Sequence, residues 1–95
     1  MVFEREVTVG NKMGLHSRPA AVIARMLSET GCDVSLTRVD GSGESADCRS
    51  VLSMLILAAG RGSRLKLRAS GDGAMQVIDE LAGYFNRNFD ENDSE

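Results

Sequence analysis

The sequence predicts a small α+β domain of two layers, in the order β-α-β-β-α-β-α, with every helix on one face of the sheet. Three observations carry that expectation. Four segments alternate apolar and polar residues with period two, and three others repeat their apolar residues at helical spacing. Short turns rich in Gly, Asp and Asn separate most of them. Strands with one wet face and helices with one apolar stripe are both satisfied in such an open sandwich.

Taken in order, Val2 to Val9 sets Phe3, Arg5, Val7 and Val9 on one side and Glu4, Glu6 and Thr8 on the other. A loop over 10–14 follows, and from Ser17 the period turns helical, with Ala20, Ile23, Ala24 and Leu27 as the stripe. Pro19 fits the first turn, where a missing N–H has no carbonyl to lose. Gly31 supplies a stop. Cys32, Val34 and Leu36 alternate with Asp33, Ser35 and Thr37 as a second strand. After a turn at 40–43, Glu44 to Cys48 forms a short third strand with Ala46 and Cys48 inward. The stretch 50–59 is apolar almost all round and ends at Gly60-Arg61-Gly62. Leu65, Leu67 and Ala69 alternate with Arg64, Lys66 and Arg68, a fourth strand with a basic outer face. Gly71-Asp72-Gly73 turns the chain into a last helix striped by Ala74, Val77, Ile78, Leu81, Tyr84 and Phe85.

Ninety-five residues allow one core, and 42% hydrophobic with 26% charged residues is the balance of a soluble globular domain. Four aromatics leave little to stack on nucleic-acid bases. Removing the four carboxylates after Phe89 leaves eleven bases against ten acids, far from the basic excess of a nucleic-acid binder. The chain is thus expected to divide into one domain over 1–89 and an acidic, solvated tail over 90–95. Cys32 and Cys48 lack a CxxC spacing and alternate with strand residues, as buried reduced thiols do. Charges within the first six residues disfavour a secretory leader, and no apolar run nears the ~20 residues that span a bilayer. A cytoplasmic protein with neither membrane nor nucleic-acid partner is expected.

The single histidine stands in Gly14-Leu15-His16-Ser17-Arg18-Pro19-Ala20, at the expected start of the first helix. A lone histidine is more often structural than catalytic, but these neighbours favour chemistry. A neutral imidazole offers one ring nitrogen as a nucleophile. Beside it lie the unpaired N–H groups of Ser17 and its successors, at the positive end of a helix dipole. Arg18 adds a charge-assisted donor, and Gly14 leaves room for a close approach. The cluster is an anion site carrying its own nucleophile. One His and two separated Cys make a poor metal set, and a hydrolytic triad lacks a second base. No metal and no cofactor are expected.

This heptapeptide resembles the active-site signature of the HPr family, histidine-containing phosphocarriers of the bacterial phosphoenolpyruvate:sugar phosphotransferase system. Arg49-Ser50-Val51-Leu52-Ser53-Met54-Leu55 is similar to that family's regulatory segment, and the likeness spans about residues 2–86. The resemblance implies a four-stranded antiparallel sheet with three helices on one face, in a monomer. It implies that His16 is phosphorylated on Nδ1 by phospho-enzyme I and passes the group to IIA proteins, serving sugar transport as a covalent relay and not as a stand-alone enzyme. Arg18 would steady the phosphoryl group and Ser17 would donate its amide. Ser17 replaces a usual alanine. Ser50 aligns with a serine modified by HPr kinase/phosphorylase in carbon catabolite regulation, a role that would bring in a transcriptional regulator. As chemistry alone it is equally an N-cap of the second helix. Ser53 replaces a common glycine there. Val51, Leu52 and Leu55, rimmed by Arg25 and Arg49, are the expected docking contacts. Two other readings are a carrier of the nitrogen-related branch and a regulatory binding module that keeps the fold.

Overall fold

The computed structural model describes residues 1–91 and holds β1 (Val2–Thr8), α1 (Ser17–Ser28), β2 (Asp33–Arg38), β3 (Ser45–Asp47), α2 (Val51–Leu57), β4 (Arg64–Ser70) and α3 (Ala74–Asn86). A short 3-10 turn, Asn88–Asp90, follows. Every expected element is present in the expected order. The sheet runs β1-β4-β2-β3, with every neighbouring pair antiparallel.

Alternation explains which side of each strand is dry. In β4, Leu65, Leu67 and Ala69 are fully buried, while Arg64, Lys66 and Arg68 face water. Leu67 lies opposite Leu36 on β2 and opposite Arg5 on β1. Arg5 therefore belongs to the helix side at the sheet's edge, where its guanidinium reaches Asp79 of α3 at 2.6 Å. On the outer face the acids of β1 meet the bases of β4, Glu6 with Arg64 at 3.5 Å and Glu4 with Lys66 at 3.8 Å. Exposed pairs of this kind contribute at most about 1 kcal/mol each.

The helices complete one core. Ala20, Ile23 and Leu27 of α1, Met54 and Leu57 of α2, and Ile78, Leu81 and Phe85 of α3 are buried with the strand residues. The α3 helix lies over β1 and β4, and α2 packs on α1 and β3. Deleting a fully buried side chain such as Leu67 costs about 2–5 kcal/mol. Both thiols are free and buried, and that of Cys32 donates to the Asp72 carbonyl at 2.9 Å. Burial, and then the Asp47 charge, push the Cys48 thiol up to about 12. Among the described residues no helix is long and apolar enough to cross a membrane.

The α2 helix is shorter than its apolar stretch. It ends at Leu57 because Ala58 turns left-handed, with φ 54°, and the Arg38 guanidinium takes the last carbonyls. Arg38 Nη2 donates to Leu57 O at 2.7 Å and to Ala58 O at 3.0 Å. A side chain from the end of β2 thus supplies the C-terminal cap.

Candidate functional site

The loop before α1 is fastened to the end of α2. Leu15 N–H donates to Ala59 O at 2.9 Å, and the Leu15 side chain is buried. Gly14 has φ +72°, and a Cβ there would stand 2.6 Å from Ala59 O and 2.9 Å from Gly60 Cα. The space expected to admit a partner is therefore filled by the chain's own backbone, and glycine is needed for the loop to close. A second seam lies alongside, with Val9 N–H to Ser63 O at 2.9 Å and Gly62 N–H to Val9 O at 2.7 Å.

That loop delivers His16 as the N-cap of α1, with extended backbone and its carbonyl accepting from Ala20 N–H at 3.1 Å. Its side chain makes no capping hydrogen bond. Pro19 occupies the third helical position, which removes the N–H that a cap most often uses. The N–H groups of Ser17 and Arg18 are left at the positive end of the helix. Arg18 is exposed, and its guanidinium makes no hydrogen bond or ion pair among the described residues. The sequence-predicted residues His16, Ser17 and Arg18 thus hold the N-cap and the first two positions of α1.

One further residue enters from a distance. Glu91 Oε2 lies 2.6 Å from His16 Nε2, and the two side chains are 13% and 23% exposed. Its other oxygen accepts from Asn11 Nδ2 at 2.8 Å, and the same amide donates to Gly14 O at 2.8 Å. Asn11 is fully buried, and its Oδ1 has no partner among the described residues. Asp90 and Glu91 both fall in the segment expected to be a solvated tail, yet Asp90 closes the 3-10 turn and Glu91 sits on the histidine. Residues 92–95 lie outside the described residues.

The turn that carries Glu91 inward is left-handed, with φ of 55°, 56° and 58° at Asn88, Phe89 and Asp90. Asn and Asp tolerate that region, so the cost of about 1–2 kcal/mol falls chiefly on Phe89. Burial of Phe89 offsets part of this, because its ring packs edge-on to Phe85 at 4.8 Å and tilted to Tyr84 at 5.2 Å. Arg87 spans the turn, donating to Asp90 at 2.7 Å and lying over the Tyr84 ring. Burial, then the Asp90 and Glu91 carboxylates, hold the Tyr84 phenol above its ordinary range. Sequence reasoning missed Glu91. Its one signal was Phe89, a large aromatic placed against an acidic terminus with nothing else to bury.

The second predicted group lies at the other end of α2. Ser50 is its N-cap, and the Ser50 Oγ accepts from Ser53 N–H at 3.0 Å. The Ser53 hydroxyl in turn accepts from Asp47 N–H at 2.9 Å. Leu52 is 67% exposed and Leu55 38%, whereas Val51 packs partly against the core. Ile56, at 72%, extends that apolar face. Arg25 is exposed at the last turn of α1. Arg49 is exposed too, but tethered: its guanidinium donates to the Cys32 carbonyl at 2.6 Å and lies 3.8 Å from Asp33.

Fold and site together define a class: an open-faced sandwich presenting a histidine at the start of its first helix. The model of the family described as PTS HPr component phosphorylation site matches residues 3–87. The chain belongs to the HPr family of phosphotransferase-system phosphocarriers. It is 38% identical over 88 residues to the phosphocarrier protein NPr of Shewanella violacea, covering 93% of each chain. To the phosphocarrier protein HPr of Pseudomonas aeruginosa it is 36% identical over 87 residues, covering 90% of this chain and 93% of that one. The multiphosphoryl transfer protein of Salmonella typhimurium is 31% identical over 77 residues, and the chain spans about a fifth of that protein's length. Among solved structures, HPr-C-His from Thermoanaerobacter tengcongensis superposes with a TM-score of 0.83 at 26% identity, covering 95% and 98% of the two chains.

Proposed function

We propose that His16 accepts a phosphoryl group on Nδ1 from phospho-enzyme I and hands it to IIA proteins. The observation that carries this reading is the uncapped start of α1, where His16 makes no capping bond, the N–H groups of Ser17 and Arg18 have no intrahelical partner, and the Arg18 side chain is exposed. A phosphoryl group on the ring carries oxygens that suit those donors. Transfer between two nitrogens needs an in-line approach and charge stabilisation more than covalent help. The exposed Leu52, Leu55 and Ile56 beside α1 supply an apolar docking face, with Arg25 as its basic rim. The test is incubation with enzyme I and phosphoenolpyruvate. One acid-labile phosphate is expected on the wild type and none on His16→Ala. A wild type that gains no phosphate, or an alanine variant that still gains one, ends the proposal.

Service in the nitrogen-related branch is supported about equally, because an NPr relative and an HPr relative stand at 38% and 36% identity. Transfer from the phosphorylated chain to sugar-type and nitrogen-type IIA proteins, run in parallel, separates the two. Regulation at Ser50 is a further part of the reading. A phosphate there would displace the cap to Ser53 N–H and add about two negative charges beside the docking face. HPr kinase and ATP should give an acid-stable phosphate that Ser50→Ala abolishes, and an unmodified wild type removes this part.

A further inference from the structure

We propose that Glu91 is a positioning residue for His16: its carboxylate fixes the imidazole as the Nε2–H tautomer and so keeps the Nδ1 lone pair available to phosphorus. This rests on the reading of His16 as the phosphoryl acceptor and deepens it.

A carboxylate oxygen only accepts, so the 2.6 Å contact places a proton on His16 Nε2. In the neutral ring the other nitrogen then has no proton and is the nucleophile. The carboxylate is itself held. Its second oxygen is gripped by Asn11, which is fully buried and anchored to the Gly14 carbonyl. Asn11 and Gly14 belong to the same loop that sets the histidine backbone, so ring and carboxylate share one frame. The three left-handed residues at 88–90 provide the third support, since an extended exit from α3 would not turn Glu91 back toward α1. Backbone cost of this kind persists where surrounding packing fixes it, here through Phe89 on Phe85 and Tyr84.

The placement also suits the chemistry of transfer. Nδ1 attacks phosphorus, the bond from phosphorus to the donor histidine breaks, and the donor leaves with that electron pair. The ring keeps its Nε2 proton and becomes cationic, with the Glu91 carboxylate against that edge. On transfer to an acceptor the Nδ1–P bond breaks and its electron pair returns to the ring. No proton moves in either step. The charged groups around the ring are divided by position: Glu91 at Nε2, Arg18 at the start of α1, and Arg87 paired with Asp90 beyond Tyr84. Negative charge thus meets the ring and positive charge is left for the phosphoryl oxygens.

The experiment uses the full chain, uniformly labelled with nitrogen-15. Long-range proton–nitrogen spectra at a pH where the ring is neutral read the tautomer directly, with no phosphotransfer required. Wild type should show Nε2–H, and Glu91→Ala a mixture of tautomers. Glu91→Gln keeps an accepting oxygen and should retain most of the Nε2–H form. In the enzyme I assay, Glu91→Ala should lower kcat by about tenfold to a hundredfold, the span of one charge-assisted hydrogen bond felt in the transition state, with KM for the chain unchanged. Glu91→Gln should fall between. An unchanged tautomer in Glu91→Ala overturns the proposal, as does a variant phosphorylated as fast as wild type or faster, which would make Glu91 a latch. If the tautomer shifts but wild type takes no phosphate, the carrier reading fails and the positioning of the ring stands.

Discussion

Two helices in this small domain begin in opposite ways. At α2, Ser50 closes the helix on itself, its hydroxyl accepting from the Ser53 N–H. At α1, His16 occupies the same position, makes no capping bond, and leaves the Ser17 and Arg18 donors open. A capped terminus gains about 1 kcal/mol and has little left to offer a ligand. An open one forgoes that gain and keeps its donors and dipole for an anion. One helix start is thus closed by its own side chain, and the other is left open for the anion that the proposed function would place there.

The comparison is broken most severely by giving α1 a conventional cap. His16→Asn should lose all acid-labile phosphate in the enzyme I assay. Its amide oxygen can bond the Arg18 N–H, a gain of about 1 kcal/mol that offsets part of the lost Glu91 contact, so thermal melting should show a fold within about 2 kcal/mol of wild type. A severely destabilised variant would mean that the histidine is structural after all. Next comes the loop that presents the ring. Gly14→Ala forces a Cβ against Ala59 O and Gly60 Cα at positive φ, and should cost about 2–3 kcal/mol in urea unfolding. A neutral substitution there would show that the seam to α2 yields easily.

The α2 end has a titration of its own. Cys48, two residues before Ser50, stays protonated in the fold up to about pH 12, while in the unfolded chain the thiol ionises near its ordinary value of 9.0. Between those values the unfolded state binds fewer protons, so stability falls as pH rises, by about 1.4 kcal/mol per unit at most from this group. Denaturant titrations from pH 8 to 10.5 should show that decline in wild type and a flatter curve in Cys48→Ala. Equal slopes would remove Cys48 as the cause. Smallest is Ser50→Ala, expected to cost about 1 kcal/mol through the lost cap without slowing phosphorylation of His16. A large loss of phosphotransfer in that variant would tie the two helix starts together more closely than their separate bonding suggests.

Much of this was legible in the chain. Strict alternation fixed the wet and dry faces of β1 and β4, down to Arg5, which reaches the helix side only because an edge strand lets its long stem meet Asp79. The heptapeptide around His16 marked the candidate site because its chemistry is local: a helix start, a proline and an arginine lie within a few residues. What could not be read depended on contacts between distant segments. Gly14 suggests an opening until Ala59 is placed against it. The tether from Arg49 to the Cys32 carbonyl appears only once β2 is placed beside the start of α2. Glu91 lies in a run of acids that local composition assigns to solvent, and only the packing of Phe89 turns it inward. Local rules pointed to His16, and tertiary packing brought Glu91 to it.

The seam between the histidine loop and α2 has a consequence for how the site can open. Leu15 N–H on Ala59 O and Gly62 N–H on Val9 O tie the loop at both ends, and the Arg38 guanidinium secures the carbonyls at the end of α2. The loop therefore has no private hinge. Fluctuations that expose the Leu15 amide to exchange with deuterium require the end of α2 to detach, so its protection should approach that of the central strand and not that of a surface loop. Phosphorylation chemistry would then occur on a surface as slow to yield as the core beneath it.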